Sequence, residues 1–159
     1  MSTRGFYAFH LDGQTKVIYT RYDAYPGGLG QDFLDWTRTT DLDKARTQIR
    51  ALRIIRRSED VTETMNQAYA ALKDGDPQAL LDLGFTGDDS DFPGDSLYAE
   101  WGYVLDLDNN VFEVYQGFQD RPHNVGRFAN AKRREDTGYW PVRLIGTYPL
   151  DALPKDLSS

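Results

Sequence analysis

The stretch GFYAFHLDGQTKVIYTRYDAYPGGLG, residues 5–30, decides the fold. Its first part alternates, with Tyr7, Phe9 and Leu11 on one side of an extended chain and Phe6, Ala8 and His10 on the other. That is the period-two pattern of a strand. Asp12-Gly13 supplies a hairpin turn, and Lys16 to Tyr22 resumes as a second strand. The chain then leaves the hairpin through YTRYDAYPGGLG, residues 19–30, which holds three tyrosines, an Arg, an Asp, a Pro and three glycines. Pro26 lacks an N–H and biases Tyr25 to an extended conformation, while Gly27, Gly28 and Gly30 permit close backbone approach or positive φ. Free N–H groups at the following helix start would favour an anion. Arg21 and Asp23 lie two apart, on the same side of a regular strand. A purely structural role for the corner is also open: Arg4 on the first strand pairing with Asp23.

Helical spacing takes over beyond the corner. Leu29, Phe33 and Trp36 predict a short helix starting near Gly28. Leu42, Ala45, Ile49, Leu52 and Ile55 predict a second, capped by Thr40 or Asp41. A third opens at Ser58 or Asp60 with Val61, Met65, Ala68, Tyr69 and Leu72 inward, and Asp76-Pro77 opens a brief fourth that stops at Gly84. Residues 86–96 have loop composition. Leu97 to Gln116 reads as a second hairpin around DNN, Gly117 to Gly138 as an irregular charged connection, and residues 139–150 as a last strand with Trp140, Val142 and Leu144 on one side. Strands grouped before and after a block of helices exclude a doubly wound parallel sheet. The expectation is a single α+β domain over residues 1–159 with a frayed tail from about 151. It has two layers: a mainly antiparallel sheet of about five strands, with helices packed on one face.

Composition narrows the function classes. The chain has 159 residues, 40% hydrophobic and 13% aromatic, enough for one core without intrinsic disorder. It has no apolar run long enough to cross a membrane, and its N-terminus meets a turn before a signal-peptide stretch develops, which points to a cytoplasmic protein. With no Cys, thiolate chemistry is excluded; with only His10 and His123, a histidine-rich zinc site is not expected, nor is a cofactor. A net charge of −7 works against generic attraction to nucleic acid.

STRGFYAFHLDG, IYTRYDAYPGGLG and WGYVLDLDNNVFEVYQG carry a resemblance. Together they are similar to a group of small uncharacterised proteins of bacteriophages and bacteria that open with Thr-Arg-Ser/Gly and carry an Asp-x-Tyr-Pro-x-Gly-x-Gly corner. Residues 2–35 match well and the later hairpin loosely. Thr3, Arg4, Asp23, Tyr25, Pro26, Gly28 and Gly30 fit the pattern, and Ala24 stands where Gly or Ser is expected. The resemblance implies a phage or prophage accessory context and contact with a host protein or defence system.

Other constellations are weighed beside the corner. Arg46, Arg50, Arg53 and Arg57 recur at spacings of four, three and four, which predicts a guanidinium stripe on the second helix for phosphates or an acidic partner, or simply a solvated face. Asp88, Asp89, Asp91 and Asp95 form an acidic loop that suits a cation or mimics a phosphate backbone; a solvated loop is the plain alternative. Asp106 to Asn110 begins like a calcium loop but has Val111 and Gly117 where Gly and Glu are needed, so a hairpin turn is expected. Ser2, exposed by removal of Met1, offers an N-terminal nucleophile near Arg4, Arg21 and Asp23, although such hydrolases stack two sheets. Glu100 with Glu113, or Asp106 with Asp23, are conceivable acid–base pairs without a sequence reason to converge.

The expected function is a non-enzymatic accessory protein with a protein partner, contacted through Arg4, Arg21, Tyr22, Asp23, Tyr25, Gly27, Gly28 and Gly30 and through Arg46, Arg50, Arg53 and Arg57. Aromatic and Arg side chains give large contributions when desolvated at an interface. The rival is a small-ligand protein or enzyme whose pocket is lined by Arg4, Asp23 and the corner glycines.

Overall fold

A computed structural model of the chain describes residues 3–55, 62–72, 76–133 and 135–157. The N-terminal hairpin forms as the alternation dictates. β1 (Gly5–Leu11) and β2 (Gln14–Thr20) pair antiparallel from Gly5↔Thr20 to Leu11↔Gln14, leaving Asp12-Gly13 as a two-residue turn. Both turn residues have positive φ, 54° and 77°, the requirement of the type I′ turn whose twist matches the strands. The second hairpin joins β5 (Trp101–Asp106) to β6 (Val111–Gln116), and β7 (Arg143–Pro149) pairs antiparallel with β6.

β1 and β5 run parallel in the middle of a five-stranded sheet of order β2-β1-β5-β6-β7. A parallel neighbour requires a crossover, and the helices supply it. A wide turn over Pro26–Gly30 leads into α1 (Gln31–Thr39), followed by α2 (Leu42–Ala51), α3 (Glu63–Leu72) and α4 (Pro77–Leu83). Asp41 caps α2 by accepting the N–H groups of Asp43 and Lys44. Asp76 caps α4 by accepting that of Gln78, and Gly84, at φ 88°, ends it. Met65 N–H donates to the Thr62 hydroxyl at the start of α3, while Ser58, Asp60 and Val61 lie outside the described residues.

Helix α2 stops four residues before the predicted end. Leu52 is extended, the Arg53 N–H donates to the Gly84 carbonyl, and β3 (Arg53–Ile55) pairs parallel with β4 (Phe85–Gly87) as a small second sheet. The side chain of Lys16, buried on β2, donates through Nζ to the Ile49 and Leu52 carbonyls at 2.5 and 2.8 Å, taking up groups that the helix end leaves without partners. Burial lowers its pKa from the ordinary lysine value.

The alternation of β1 divides the core. Tyr7, Phe9 and Leu11 pack with Phe33, Leu34, Ala45, Ile49 and Leu80 under the helices. Phe6 and Ala8 face away from them, into a second cluster with Val17, Val104, Tyr115, Phe128 and Val142. That face of the sheet is closed by irregular chain rather than by helices: Phe128 sets its ring edge-on to Tyr115 and Phe6 at 4.9 and 5.4 Å, and the Val142 N–H donates to the Pro93 carbonyl. Phe128→Ala is expected to lower the free energy of unfolding by about 3 kcal/mol in urea titrations, the range for a large-to-small change in a core. A near-zero change would mean that residues 117–142 are an accessory loop rather than the cover of this face.

Candidate functional site

The corner after β2 is held from three sides. Ala24 is buried, its N–H donates to the Thr3 carbonyl at 3.1 Å, and its own carbonyl accepts the Tyr103 hydroxyl at 2.7 Å. Asp23, at φ 52°, takes the left-handed conformation that Asp tolerates better than most residues. Its carbonyl accepts the Leu29 N–H at 2.8 Å, and the Tyr25 carbonyl accepts that of Gly28 at 2.9 Å.

The role of the glycines is close approach. A Cβ on Gly28 would lie 2.3 Å from the Asp23 carbonyl oxygen, and one on Gly30 would lie 2.7 Å from the Tyr103 ring. The turn also corrects one expectation: the N–H groups of Gly28, Leu29 and Gly30 are already taken by the Tyr25 and Asp23 carbonyls, so they offer nothing to an anion.

The side chains of Arg21, Tyr22, Asp23 and Tyr25 are exposed, Tyr22 at 52% and Tyr25 at 44%. The Arg21 guanidinium lies over the Tyr22 ring, 5.4 Å from its centre. Arg4 does not pair with Asp23 as the structural alternative required; its guanidinium sits over the Tyr98 ring at 4.6 Å, and its backbone N–H donates to the Glu100 carboxylate at 2.6 Å.

Beside the corner lies a groove of about 650 Å³. Tyr25, Pro26 and Gly27 line it from the corner, and Trp101, Val114 and Gly146 from the sheet. Ile145 and Tyr148 of β7 and Leu157 of the C-terminal tail complete the lining, which carries no charged side chain and excludes both Arg4 and Asp23. The tail is held in place there: the Leu157 N–H donates to Gln31 Oε1, and Arg38 donates to the Pro154 carbonyl. Trp101, Ile145 and Tyr148 were not legible as site residues, because the groove draws single residues from strands whose order the sequence does not state.

The arginine stripe dissolves in part. Arg46 pairs with Asp43 and donates to Asn110, and Arg50 donates to Asp12 at 2.8 Å. Arg53 is on β3 instead of the helix, because α2 ends at Ala51, and Arg57 lies outside the described residues, as does Ser2. The acidic loop faces cations across a hollow of about 480 Å³, with Asp88, Asp89, Asp91 and Asp95 on one side and Lys132 and Arg133 on the other. Mixed sign counts against mimicry of a phosphate backbone.

A deeply buried ionic group centres on Arg127, which the sequence does not single out. Arg127 donates from Nη2 to Asp106 at 2.5 Å and from Nε to Glu113 at 2.7 Å, and Glu113 also accepts the Tyr115 hydroxyl. The side chain of Asp106 is 1% exposed and that of Arg127 19%. Asp106 Oδ1 accepts the N–H groups of Asp108 and Asn109, and Oδ2 accepts Arg127 and the Asn109 side chain. Four donors fill the lone-pair sites of a carboxylate. His10, Asp106 and Asp108 bring potential ligand atoms within 4.8 Å of one another, but the saturated Asp106 has nothing left for a cation. The cluster is a clasp: Asp108 accepts the N–H groups of Asp12 and Gly13 and contacts His10 Nε2 at 3.2 Å, tying together the turns of the two hairpins.

No protein-family model matches the chain, and comparison with curated proteins and with solved structures returns no match. Among the described residues, no helix is long and apolar enough to cross a membrane.

Two outcomes follow for the clasp. Arg127→Ala leaves the buried carboxylates of Asp106 and Glu113 without their cation and is expected to cost about 3–5 kcal/mol of stability. Burial alone would raise the pKa of Asp106, but the Asn109 side chain and N–H, with Arg127, outweigh it and hold the group below its ordinary 3.8. A depressed carboxylate stabilises the fold above its ordinary value and loses that contribution as pH falls, because the unfolded chain takes up the proton first. Asp106→Asn should therefore lower stability at pH 7 and flatten its fall below pH 3.8 in urea titrations. An unchanged acid limb would remove Asp106 from the account.

Proposed function

We propose that the protein is a non-enzymatic accessory protein of phage type, which binds a host or phage protein through the corner at Arg21, Tyr22 and Tyr25 and the groove beside it. One observation carries this reading: a hydrogen-bonded turn places Tyr25 on the lining of an uncharged groove, and Arg21 and Tyr22, just before it in the chain, are exposed as well. Preordered aromatic and Arg side chains lose little conformational entropy on docking, and they dominate the energy of protein interfaces. The sequence resemblance of residues 2–35 supports the phage context. Of Arg4, Asp23 and the corner glycines, the groove takes in only Gly27, and Arg4 lies over the Tyr98 ring, which weighs against the small-ligand alternative.

The test is quantitative affinity capture from host-cell extract, with the wild-type protein and an Arg21→Ala, Tyr25→Ala variant side by side. Both side chains are exposed, so the variant should melt within about 2 °C of the wild type. Its yield of the specific partner should fall by about ten-fold or more. Equal recovery of the same partners by both proteins would contradict the assignment of the corner.

A further inference from the structure

We infer that the groove between the corner and β7 seats a proline-rich segment of the partner in the polyproline II conformation. The inference rests on the protein-binding reading above and specifies its ligand. Three aromatic residues line the groove, Tyr25, Trp101 and Tyr148, and none of the nine lining residues is charged in a chain that is 27% charged. Charge complementarity therefore selects an uncharged occupant. Hydrogen-bond complementarity selects further. The Trp101 indole N–H and the Tyr25 and Tyr148 hydroxyls make no hydrogen bond to another described residue, so the lining carries donors without intramolecular partners. An indole N–H is a donor only. A polyproline II segment has no internal hydrogen bonds, and its prolines lack N–H groups, so it offers carbonyl acceptors and little else. Flat proline rings also pack on aromatic faces, the recurring recognition mode for such segments. A helix would bring an apolar face with its carbonyls already used, and a charged peptide would be desolvated without a counter-charge. The volume, about 650 Å³, lies within the range of about 300–1,000 Å³ typical of ligand sites.

The probe is decaproline, titrated into the full chain labelled with ¹⁵N, beside a Gly/Ser peptide of equal length. The expected result is saturable movement of the Trp101 indole resonance and the Gly27 and Gly146 amides with decaproline, at a Kd between about 10 µM and 1 mM, and none with the Gly/Ser peptide. Trp101→Phe keeps an aromatic face, though a smaller one, and removes the donor, and should weaken binding about five-fold or more. No movement at about 5 mM decaproline, or equal movement with both peptides, overturns the inference. Movement of the same resonances with protein concentration alone would assign the groove to a second copy of the chain and overturn it equally. Corner-dependent capture of a partner together with no decaproline response would leave the protein-binding reading intact and remove only the ligand class.

Discussion

The hydrogen bond from the Tyr103 hydroxyl to the Ala24 carbonyl is the constraint on which the presented surface depends. Tyr103 is fully buried on β5, at the centre of the sheet, and its hydroxyl has to find an acceptor there. It finds one in the corner, so the sheet pulls the turn down onto itself. Burial raises the pKa of this tyrosine far above its ordinary value, which keeps the donor proton in place across the physiological range. With Ala24 drawn inward, its neighbours Asp23 and Tyr25 face outward, and Gly30 is small enough to rest against the Tyr103 ring. Exposure of Arg21, Tyr22 and Tyr25 is thus a consequence of how the core is satisfied.

The other face of the sheet solves a different problem. Helices cover only the side that carries Tyr7, Phe9 and Leu11, and the side that carries Phe6 and Ala8 needs a second cover. Residues from the irregular connections provide it, with Phe128 as the apolar plug and Arg127 beside it as the ionic one. Irregular chain buries backbone groups at a cost unless they are paired. The Arg127 backbone N–H donates to the Tyr115 hydroxyl and the Val142 N–H to the Pro93 carbonyl, while the Arg127 side chain ties the cover to Asp106 and Glu113. The acidic side chains most suggestive of catalysis are occupied in holding the cover down.

Much of the architecture was legible because it is written locally. The Asp12-Gly13 turn, the alternation of Gly5–Leu11, the caps at Asp41 and Asp76 and the stop at Gly84 each depend on neighbours within a few residues. The α+β class followed from the order of those elements. The rest depends on partners far along the chain. Parallel pairing of β1 with β5 joins Gly5 to Trp101, and the early end of α2 is set by Lys16 and Gly84, which no helical periodicity reveals. Arg127 left one faint signal: Asp106 and Glu113 flank the second hairpin on the face shared with Val104 and Tyr115, and two carboxylates on an apolar face call for a cation. The corner itself was legible as a feature, but the groove beside it was not, since it needs the corner, three strands and the tail in one place.

The central claim is that the corner is a rigid, preformed platform rather than a loop that orders on contact. Native-state amide hydrogen exchange on the free protein tests it most directly. The Ala24, Gly28 and Leu29 amides, each bonded to a backbone carbonyl, should exchange with opening free energies close to those of β1 and β5. Exchange of those three amides at the rate of exposed loop residues, while the sheet stays protected, would contradict it.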